Sequence, residues 1–483
     1  MAIFVGLDVG TQGARAIACS EDGKVIARAE RRFGLEVCVQ GLPTGWFEQH
    51  PEAWWAASRE ALSQLTSGIR TSDIAAVAVD STSGTIVAVD DNENAVRPAI
   101  MYSDIRSGVE ADRCNSAGSD FISKLGYKFS SSFGLPKMLW IRDHEPDTWK
   151  KIRRLVHAAD YIVAKLAGTS KLTDSSNALK SGYDLVDECW PSFITESLGI
   201  EREKLPDVVE PGEPIGLVSD ECARATGLPA GTLVVSGVSD GTAGFFASGC
   251  SRVGEWNSTI GTTLVIRGVS RELVKDTLGR VYCHKHPDGY WLPGGASSVG
   301  AECLSRVFPD CDYGNMNAAV HNMPPTGIFI YPLVRRGERF PFVDGSAVGF
   351  VVGNPANQGQ LYMAYLEGVG YVERWCVELM SELGAEVGDT VFTTGGGARS
   401  PEWIQIRADI LGKRIIRPAV TDAAIGTAVV AASRTLFTNV EEASAAMIKS
   451  DIVVEPGPRR SAYQDCYSRF RAECASRGMG VQA

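Results

Sequence analysis

A strand, a glycine-threonine turn and a second strand occur twice in this chain, and this recurrence restricts the fold more than any other feature. The first copy runs from Ile3 to Ala18 and contains the turn Asp8–Gly13 (DVGTQG). The second copy is Gly254–Ile266 (GEWNSTIGTTLVI). Short apolar runs joined by glycine turns are typical of hairpins, and helical patterns such as Pro51–Leu65 follow them. The sequence therefore predicts an α/β protein with two related halves.

The length of the chain predicts more than one hydrophobic core. Its 483 residues are about three times the length of a typical domain. We expect two large domains, residues 1–249 and 250–483, with a cleft between them. The boundary follows Gly241–Ser248, a run of small residues that is typical of a closely packed helix.

The balance of charge excludes nucleic acid as the expected partner. The formal net charge is −11 and no large cluster of Lys and Arg occurs, whereas binding to a phosphate backbone requires a basic face. The sequence shows neither a signal segment nor an apolar run of about 20 residues, so we expect no membrane partner and a cytoplasmic location. A small molecule is the expected ligand.

The cysteines predict neither a disulfide framework nor a metal site. The 12 cysteines are scattered and none forms a Cys-x-x-Cys pair, which is typical of reduced and mostly buried thiols. Cys283, His284 and His286 lack partners at zinc-finger spacing and alternate as strand residues do. We therefore expect a strand rather than a metal centre at this position.

The first turn has the composition of a phosphate-binding loop. Glycines, Gly10 among them, allow backbone N–H groups to approach an anion closely, and Thr11 and Gln12 add side-chain donors. Asp8 supplies a carboxylate that could hold Mg2+ directly or through water. The alternative is an ordinary turn after a strand, which the local sequence alone leaves open.

Two later glycine segments would complete a nucleotide site. Gly261, Thr262 and Thr263 occupy the turn of the second hairpin and would present further donors to the same phosphates from the opposite domain. The run Thr393–Ala398 (TTGGGA) follows a strand and precedes a helix with Ser400 as cap and Pro401 at its first position. Consecutive glycines there would allow a flat nucleoside to lie against bare backbone.

Asp240 is the candidate catalytic base. It follows an apolar strand and opens a helix of small residues (VSGVSDGTAGFFASG, residues 235–249). A carboxylate fixed at such a point could accept the proton of a hydroxyl that attacks a γ-phosphate. The alternative is that Asp240 only caps the helix, which is a common role of Asp.

In order and spacing, these segments resemble those of the FGGY carbohydrate kinases, a group within the actin-like ATPase superfamily that includes glycerol, xylulose, ribulose and gluconate kinases. The resemblance runs from Val5 to about Arg434. It includes the segments GWFEQHP (residues 45–51), PAIMYSDIR (98–106), PKMLW (136–140), ADILG (408–412) and AIGTA (424–428). The chain departs from the usual pattern at Gly134 and Asn354, which weakens a formal match without affecting the expected chemistry.

This resemblance implies two ribonuclease-H-like domains around a central cleft, with sugar bound mainly by the first domain and ATP, accompanied by Mg2+, mainly by the second. Asp240 corresponds to the catalytic base of the family. The residues implied in nucleotide binding are Asp8, Gly10, Thr11, Gln12, Gly261, Thr262, Thr263, Gly300, Gly396, Gly397 and Ala398. Asp8 is also an implied catalytic residue and the implied metal ligand.

The segment Asp80–Thr85 (DSTSGT) corresponds to the sugar-facing loop of the family. Thr82, Ser83 and Gly84 are the implied sugar-binding residues of this loop. Ser83 and Gly84 stand where glycerol kinases carry Arg-Glu and typical xylulose kinases carry Met-His, so glycerol is not the expected substrate. The Thr-Ser-Gly form is similar to that of ribulose kinases of the cyanobacterial and plant type. We therefore expect a ketopentose, D-ribulose ahead of D-xylulose. Asp104 could contact the sugar, or it could form a structural ion pair with Arg106.

Three alternatives to a ketopentose kinase remain open from the sequence. The chain could be a kinase of another polyol, or a sugar or nucleotide sensor on the same fold that no longer transfers phosphate. It could also be an actin-like chaperone ATPase, although such a protein should lack a sugar-facing loop. A homodimer is possible by analogy with similar enzymes, but no segment of the sequence identifies an interface.

Overall fold

The computed structural model describes residues 1–480, which form 22 strands and 17 α-helices. The strands are β1 (Ile3–Gly10), β2 (Gly13–Ser20), β3 (Val25–Arg32), β4 (Glu48–Gln49), β5 (Ile74–Ser81), β6 (Ile86–Val89), β7 (Ala99–Ile100), β8 (Arg154–His157), β9 (Leu172–Asp174), β10 (Asp207–Val209), β11 (Pro214–Leu217), β12 (Leu233–Val235), β13 (Val238–Ser239), β14 (Trp256–Ile260), β15 (Leu264–Gly268), β16 (Tyr282–Lys285), β17 (Trp291–Ser297), β18 (Phe329–Tyr331), β19 (Phe350–Val352), β20 (Thr390–Thr394), β21 (Arg414–Pro418) and β22 (Ser450–Val454).

The helices are interspersed among these strands along the chain, which is typical of a mixed α/β protein. They are α1 (Pro51–Ser67), α2 (Gly108–Ala117), α3 (Ser119–Leu125), α4 (Gly134–His144), α5 (Pro146–Trp149), α6 (Ala158–Ala167), α7 (Ser175–Ala178), α8 (Ser192–Glu196), α9 (Asp220–Thr226), α10 (Asp240–Phe246), α11 (Glu302–Val307), α12 (Tyr313–Val320), α13 (Gln358–Glu382), α14 (Pro401–Leu411), α15 (Ala423–Ser433), α16 (Val440–Met447) and α17 (Arg460–Ser476). No helix within residues 1–480 combines the length and the apolar character needed to cross a bilayer.

The chain divides into two units. The first unit contains Met1–Ala247, Pro287–Gly289 and Asp422–Ile448. The second unit contains Ser248–His286, Tyr290–Thr421 and the chain from Lys449 onward. The first division falls two residues before the boundary predicted after residue 249, but the return of residues 422–448 to the first unit has no counterpart in that prediction.

The first unit is built on a seven-stranded sheet with the order β11-β12-β5-β1-β2-β3, in which β13 also pairs with β5. Strands β1, β2 and β3 are antiparallel neighbours, whereas β5 runs parallel to β1 and to both β12 and β13. Helix α1 covers one face with residues that recur every three or four positions, among them Trp54, Ala61 and Leu65. They join Leu7 and Val79 of the sheet in one apolar core.

Helix α15 explains why residues 422–448 belong to the first unit. It is buried along almost its whole length and packs against β1, β5 and α10. A helix that is apolar on every side must be buried on every side. Its Thr427 therefore reaches the polar end of β5, where it becomes part of the candidate site.

The second unit repeats the strand order of the first. Its sheet has the order β16-β17-β15-β14-β20-β21-β22. Strands β17, β15 and β14 are antiparallel neighbours, β14 and β20 are parallel, and an antiparallel strand closes the far edge. Of the residues predicted to lie in a strand, Cys283 and His284 are in β16, whereas His286 lies just after its end at Lys285.

Local sequence signals position the helix that follows β20. Helix α14 begins as predicted, with the Ser400 side chain accepting a hydrogen bond from the backbone N–H of Trp403 and Pro401 in the first turn. It ends at Gly412, which adopts a left-handed conformation. The residues between β20 and this helix are therefore held at both ends.

Candidate active site

Three parallel strands of the first unit end side by side and carry the candidate catalytic residues. Asp8 of β1 is the register partner of Asp80 of β5, which in turn pairs with Val238 of β13. The next residues of these strands are Val9, Ser81 and Ser239. Ligands of open α/β sheets bind at the carboxyl ends of parallel strands. Gly10, Thr82 and Asp240, which follow directly, are thereby brought to one edge of the sheet.

Asp8 lies within a strand rather than in a turn. We predicted a turn from Asp8 to Gly13, but β1 continues to Gly10 and the turn contains only Thr11 and Gln12. The strand is longer because β2 and β5 pair with it on both sides. This pairing fixes the backbone of Asp8, and its carboxylate accepts a hydrogen bond from Arg15 Nη1 at 3.3 Å.

Asp80, predicted only as the first residue of the sugar-facing segment, lies in β5 beside Asp8. Its side chain is fully buried and accepts a hydrogen bond from the Thr427 hydroxyl. Burial raises the pKa of Asp80 well above its usual value, and the charges of Asp8 and Asp240 raise it further. The raised pKa favours the protonated form of Asp80, and the side-chain interaction between Asp80 and Asp8 lowers the pKa of Asp8. The position of Asp80 after an apolar strand, which Asp8 and Asp240 share, was the signal that could have identified it.

Burial also raises the pKa of Asp8, and the charge of Asp240 adds to this effect. The hydrogen bond with Asp80 and the positive charge of Arg15 act in the opposite direction. The side chain of Arg15 is 47% exposed, so solvent screens its charge. A positively charged ligand at this edge would relieve the repulsion among the carboxyl groups.

Asp240 stands at the first position of α10, beside the end of β5. The N-cap position of this helix is occupied by Ser239, and Asp240 Oδ1 accepts a hydrogen bond from the backbone N–H of Gly241 at 2.7 Å. This placement agrees less well with a simple helix cap, which would precede the first helical residue. It keeps the carboxylate at the strand end, next to Asp8 and Asp80.

The turn after β1 is open to solvent on one side. Gln12 is exposed and Thr11 is half-buried. The turn is held from behind, because Gln49 Nε2 donates to the Thr11 carbonyl at 3.1 Å and the N–H of Phe33 donates to the Gln12 carbonyl at 3.1 Å. The two carbonyls are thus occupied by protein donors, whereas the side chains of the turn are available for a ligand.

The predicted sugar loop follows β5 directly and carries a hydroxyl group suited to a polar ligand. The Thr82 and Thr85 hydroxyls bond to each other at 2.9 Å. Ser83 Oγ is buried and has no hydrogen-bond partner within residues 1–480. A buried hydroxyl is normally paired, and the contact of Ser83 with a sugar stays a prediction.

A buried lysine fixes the segment on which this loop rests. Gly84 has a φ of +85°, and a Cβ there would lie 2.3 Å from the carbonyl oxygen of Ser132. The neighbouring carbonyls of Ser131 and Phe133 accept hydrogen bonds from Lys137 Nζ at 2.6 and 3.1 Å. Burial lowers the pKa of Lys137 to about 7. The position of the predicted sugar loop thus depends on Lys137, for which the sequence predicted no role of its own.

Asp104 forms the ion pair that the sequence left as an alternative. Its buried carboxylate accepts hydrogen bonds from Arg106 Nη2 at 2.7 Å and from the Phe47 N–H at 2.6 Å. Arg106 also donates to Glu48 at 2.6 Å, and its guanidinium lies 3.9 Å from the ring centre of Trp46. These contacts favour a structural role for Asp104, and its direct contact with a sugar stays a prediction.

The second unit brings its own predicted nucleotide residues together. The turn Gly261–Thr263 joins β14 to β15. The segment around Gly300 packs on this turn, because the N–H of Ala301 donates to the Gly261 carbonyl at 2.8 Å and the N–H of Leu264 donates to the Val299 carbonyl at 2.6 Å. The two segments therefore form one backbone surface.

The glycine run after β20 packs on the same surface. Gly395 has a φ of +83°, and a Cβ there would lie 2.6 Å from the carbonyl oxygen of Ile260. Gly396, Gly397 and Ala398 then form a short 3-10 turn before α14. The close approach to Ile260, the residue before Gly261, explains why glycine is required. Their contact with a nucleotide stays a prediction.

The site residues fit a magnesium ion that a nucleotide brings with it. Within residues 1–480, no group of three or more His, Cys, Asp or Glu side chains is arranged to hold a metal ion. Mg2+ commonly binds one or two carboxylates together with substrate phosphates and water. Asp8 and Asp240 offer such oxygens, and the pKa of Asp8 is raised first by burial and further by the charge of Asp240, which a bound cation would offset.

Comparison with known proteins places this architecture in a family. Residues 3–247 match the N-terminal domain of the FGGY family of carbohydrate kinases, and residues 276–435 match its C-terminal domain. The chain belongs to the FGGY family of carbohydrate kinases. Its activity is therefore ATP-dependent phosphoryl transfer to a sugar, and the predicted fold class is confirmed.

The similar proteins are full-length relatives. The chain is 28% identical to the xylulose kinase of Bacillus subtilis over 429 residues, which cover 86% of this chain and 85% of that protein. It is 25% identical to the xylulose kinase of Staphylococcus xylosus over 484 residues, with 98% and 99% covered. The crystal structure of xylulose kinase from Rhodospirillum rubrum superposes with a TM-score of 0.85 at 26% identity and covers 98% of both chains.

Proposed function

We propose that this chain transfers the γ-phosphoryl group of ATP to a hydroxyl of a ketopentose, D-ribulose or D-xylulose, with Asp240 as the general base. The observation that carries the proposal is the common edge formed by β1, β5 and β13. Asp240 and the loop Thr82–Gly84 follow the register partners Ser239 and Ser81, so the proposed proton acceptor and the buried hydroxyl of Ser83 extend from neighbouring strand ends.

In the proposed reaction, Asp240 accepts the proton of the sugar hydroxyl while its oxygen attacks the γ-phosphorus of ATP. The bond between the γ-phosphorus and the bridging oxygen breaks, and ADP leaves with that oxygen. Asp240 returns the proton to solvent after product release. Asp8 would hold the Mg2+ that accompanies the nucleotide, and the bound ion would offset phosphate charge.

The buried acid beside Asp8 has a defined task in this scheme. Because burial favours the protonated form of Asp80, this residue would add no negative charge to a site that must accept a polyphosphate. Its hydrogen bond to Asp8 and the one that it accepts from Thr427 orient the Asp8 carboxylate. Arg15, on the neighbouring strand, restrains Asp8 from the other side.

In the second unit, the turn Gly261–Thr263, Gly300 and the run Gly396–Ala398 would hold the nucleotide. Their backbone N–H groups and threonine hydroxyls are neutral donors, which suit phosphate oxygens and a nucleoside without adding a fixed charge. The absence of a side chain at the exposed Gly396 leaves room for a flat base or ribose, whereas at Gly397 it allows the backbone to pack against Ile260 and Trp403.

Two observations favour different ketopentoses. The loop Thr82–Gly84 supports D-ribulose, because its small polar residues resemble those of one group of ribulose kinases. The names of the similar proteins support D-xylulose. The two sugars differ only in configuration at one carbon, so the hydroxyl partner of Ser83 would decide between them.

A panel of sugars tests the proposal. ADP release is measured with MgATP and D-ribulose, D-xylulose, L-ribulose, glycerol, gluconate or no sugar, and the substrates are ranked by kcat/KM. We expect a ketopentose to rank first by at least about tenfold, since one correctly placed hydroxyl partner contributes on the order of 1.4 kcal/mol or more. A higher rank for glycerol or gluconate, or equal ADP release without sugar, would contradict it.

A further inference from the structure

An ion pair is completely buried in the second unit, behind the strands that carry the predicted nucleotide turns. Arg407 of α14 binds Glu373 of α13 through two hydrogen bonds, Nε to Oε2 at 2.7 Å and Nη2 to Oε1 at 2.6 Å. Both side chains are 0% exposed. This bidentate arrangement fixes the guanidinium in position and orientation.

The remaining terminal nitrogen of Arg407 points at the sheet. Arg407 Nη1 donates to Thr393 Oγ1 at 2.7 Å. A guanidinium has only donors, so the Thr393 oxygen must accept, and its single hydrogen is free for another partner. That partner is the carbonyl oxygen of Ser258, at 3.2 Å. The result is a continuous polar link from two helices through β20 to β14.

The polar link contacts β14 and β20 at residues that pair with each other. Ser258 and Thr393 are register partners in the parallel pair β14 and β20. Each stands three residues before a predicted nucleotide turn, at Gly261 and Gly396 respectively. A second pair of hydroxyls, those of Thr259 and Thr394, bonds at 2.7 Å one residue closer to the turns.

The sheet does not need this link for its integrity. β14 and β20 are already joined by their backbone hydrogen bonds. A buried ion pair also contributes little net stability relative to well-packed apolar residues. What it adds is a fixed geometry at the ends of the strands, because a side-chain network with every member paired has one low-energy arrangement.

We propose that Arg407 and Thr393 are positioning residues that hold the turns Gly261–Thr263 and Gly396–Ala398 in the spacing required by the nucleotide. This inference rests on the proposed function of those turns. It predicts that loss of the Thr393 hydroxyl weakens nucleotide binding and leaves sugar binding unchanged, because the sugar residues are in the first unit.

The test compares Thr393→Val, which removes the hydroxyl, with Thr393→Ser, which retains it. The control is Tyr463→Phe, which removes a hydrogen bond of 3.0 Å to Glu367, another buried carboxyl of α13. Thermal unfolding shows that each variant is folded at the assay temperature, and Thr393→Ala replaces the valine variant if that one does not fold. The dissociation constant of ADP is measured by calorimetry, and the KM values of ATP and sugar by ADP release.

We expect Thr393→Val to raise the ADP dissociation constant and the KM of ATP about tenfold, while the KM of the sugar stays within twofold. The serine and phenylalanine variants should bind ADP as the unmodified protein does. Unchanged ADP affinity in the valine variant, or an equal loss in Tyr463→Phe, would overturn the inference while leaving the proposed function intact. Failure of the unmodified protein to bind ADP would overturn both.

Discussion

The two units carry different chemistry at the corresponding register pair of similar sheets. In the first unit, the pair before the turn is Asp8 and Asp80, a carboxylate and a buried acid. In the second unit it is Ser258 and Thr393, two hydroxyl side chains. The backbone frame is the same in both cases, since a hairpin and one parallel strand form the pair. The backbone frame therefore sets the position of each pair, whereas the side chains set its charge, with two acids in the first unit and two neutral hydroxyls in the second.

The helix side chains that donate hydrogen bonds to these pairs also differ in charge. Thr427 of α15 donates to Asp80, so a neutral hydroxyl supports a site with excess negative charge. Arg407 of α14 donates to Thr393, so a charged group supports a neutral site, and its own charge is balanced by Glu373 behind it. In the second unit the buried charges thus lie away from the turns, where they do not repel or attract a phosphate strongly.

The greatest loss of activity should come from replacing an acid of the first unit with the corresponding hydroxyl residue of the second unit. Asp8→Ser places at β1 the residue type found in β14. We expect kcat to fall about a thousandfold, on the order of 4 kcal/mol in the activation barrier, because the predicted Mg2+ ligand is lost. ADP release at saturating sugar and ATP measures it. Ser258→Ala is the matched control, and its kcat should stay within about threefold of that of the unmodified protein. A kcat of Asp8→Ser within tenfold of that value would contradict the role of Asp8 as the Mg2+ ligand.

The next effect concerns stability. Arg407→Met leaves the Glu373 carboxylate buried without its partner, which should lower the free energy of unfolding by about 3–5 kcal/mol in urea titrations. The control is Arg477→Met, because the partly exposed pair of Arg477 with Glu473 should contribute less than about 1 kcal/mol. Equal losses in the two variants would show that the burial of the first pair has no energetic consequence.

A smaller loss of kcat is expected at Asp80, where two uncharged substitutions differ in their hydrogen-bonding groups. Asp80→Asn keeps a donor toward Asp8 and an acceptor for Thr427, as the protonated acid does. We expect its kcat to stay within about tenfold, whereas Asp80→Leu, which has neither group, should lose about a hundredfold. The same ADP-release assay distinguishes them. A larger loss in the asparagine variant than in the leucine variant would contradict a protonated Asp80.

The smallest effect is a change in the pH dependence of stability. Burial raises the pKa of Glu367 in the second unit from 4.5 to about 7. Between these values the folded state binds more protons than the unfolded state, so the free energy of unfolding falls as pH rises from about 4.5 to 7. Glu367→Gln should flatten this part of the profile. Urea titrations at several pH values measure it, and an unchanged slope would contradict the raised pKa.

Much of this architecture could be predicted because it depends on local patterns. The recurring strand and glycine turn indicated two related sheets, and Ser400 with Pro401 predicted the start of α14. The strand at Cys283 followed from alternation alone. These features arise from residues near one another in sequence, where periodicity and capping act.

The features that were missed depend on contacts between distant segments. The pairing of Asp8 with Asp80 joins residues 72 positions apart, and Thr427 reaches them from α15. The extension of β1 through Asp8 required pairing on both sides, which no local pattern reports. The return of residues 422–448 to the first unit likewise follows from the burial of an apolar helix against a sheet formed much earlier in the chain.

The central claim is that the first unit supplies the base and the second unit holds the nucleotide. Asp240→Asn tests it most directly, with turnover and ADP affinity measured on the same preparation. We predict a fall of about a thousandfold in kcat, within the range typical of a lost general base, and an ADP dissociation constant within twofold of that of the unmodified protein. A kcat within tenfold, or a loss of ADP affinity equal to the loss of turnover, would contradict the claim.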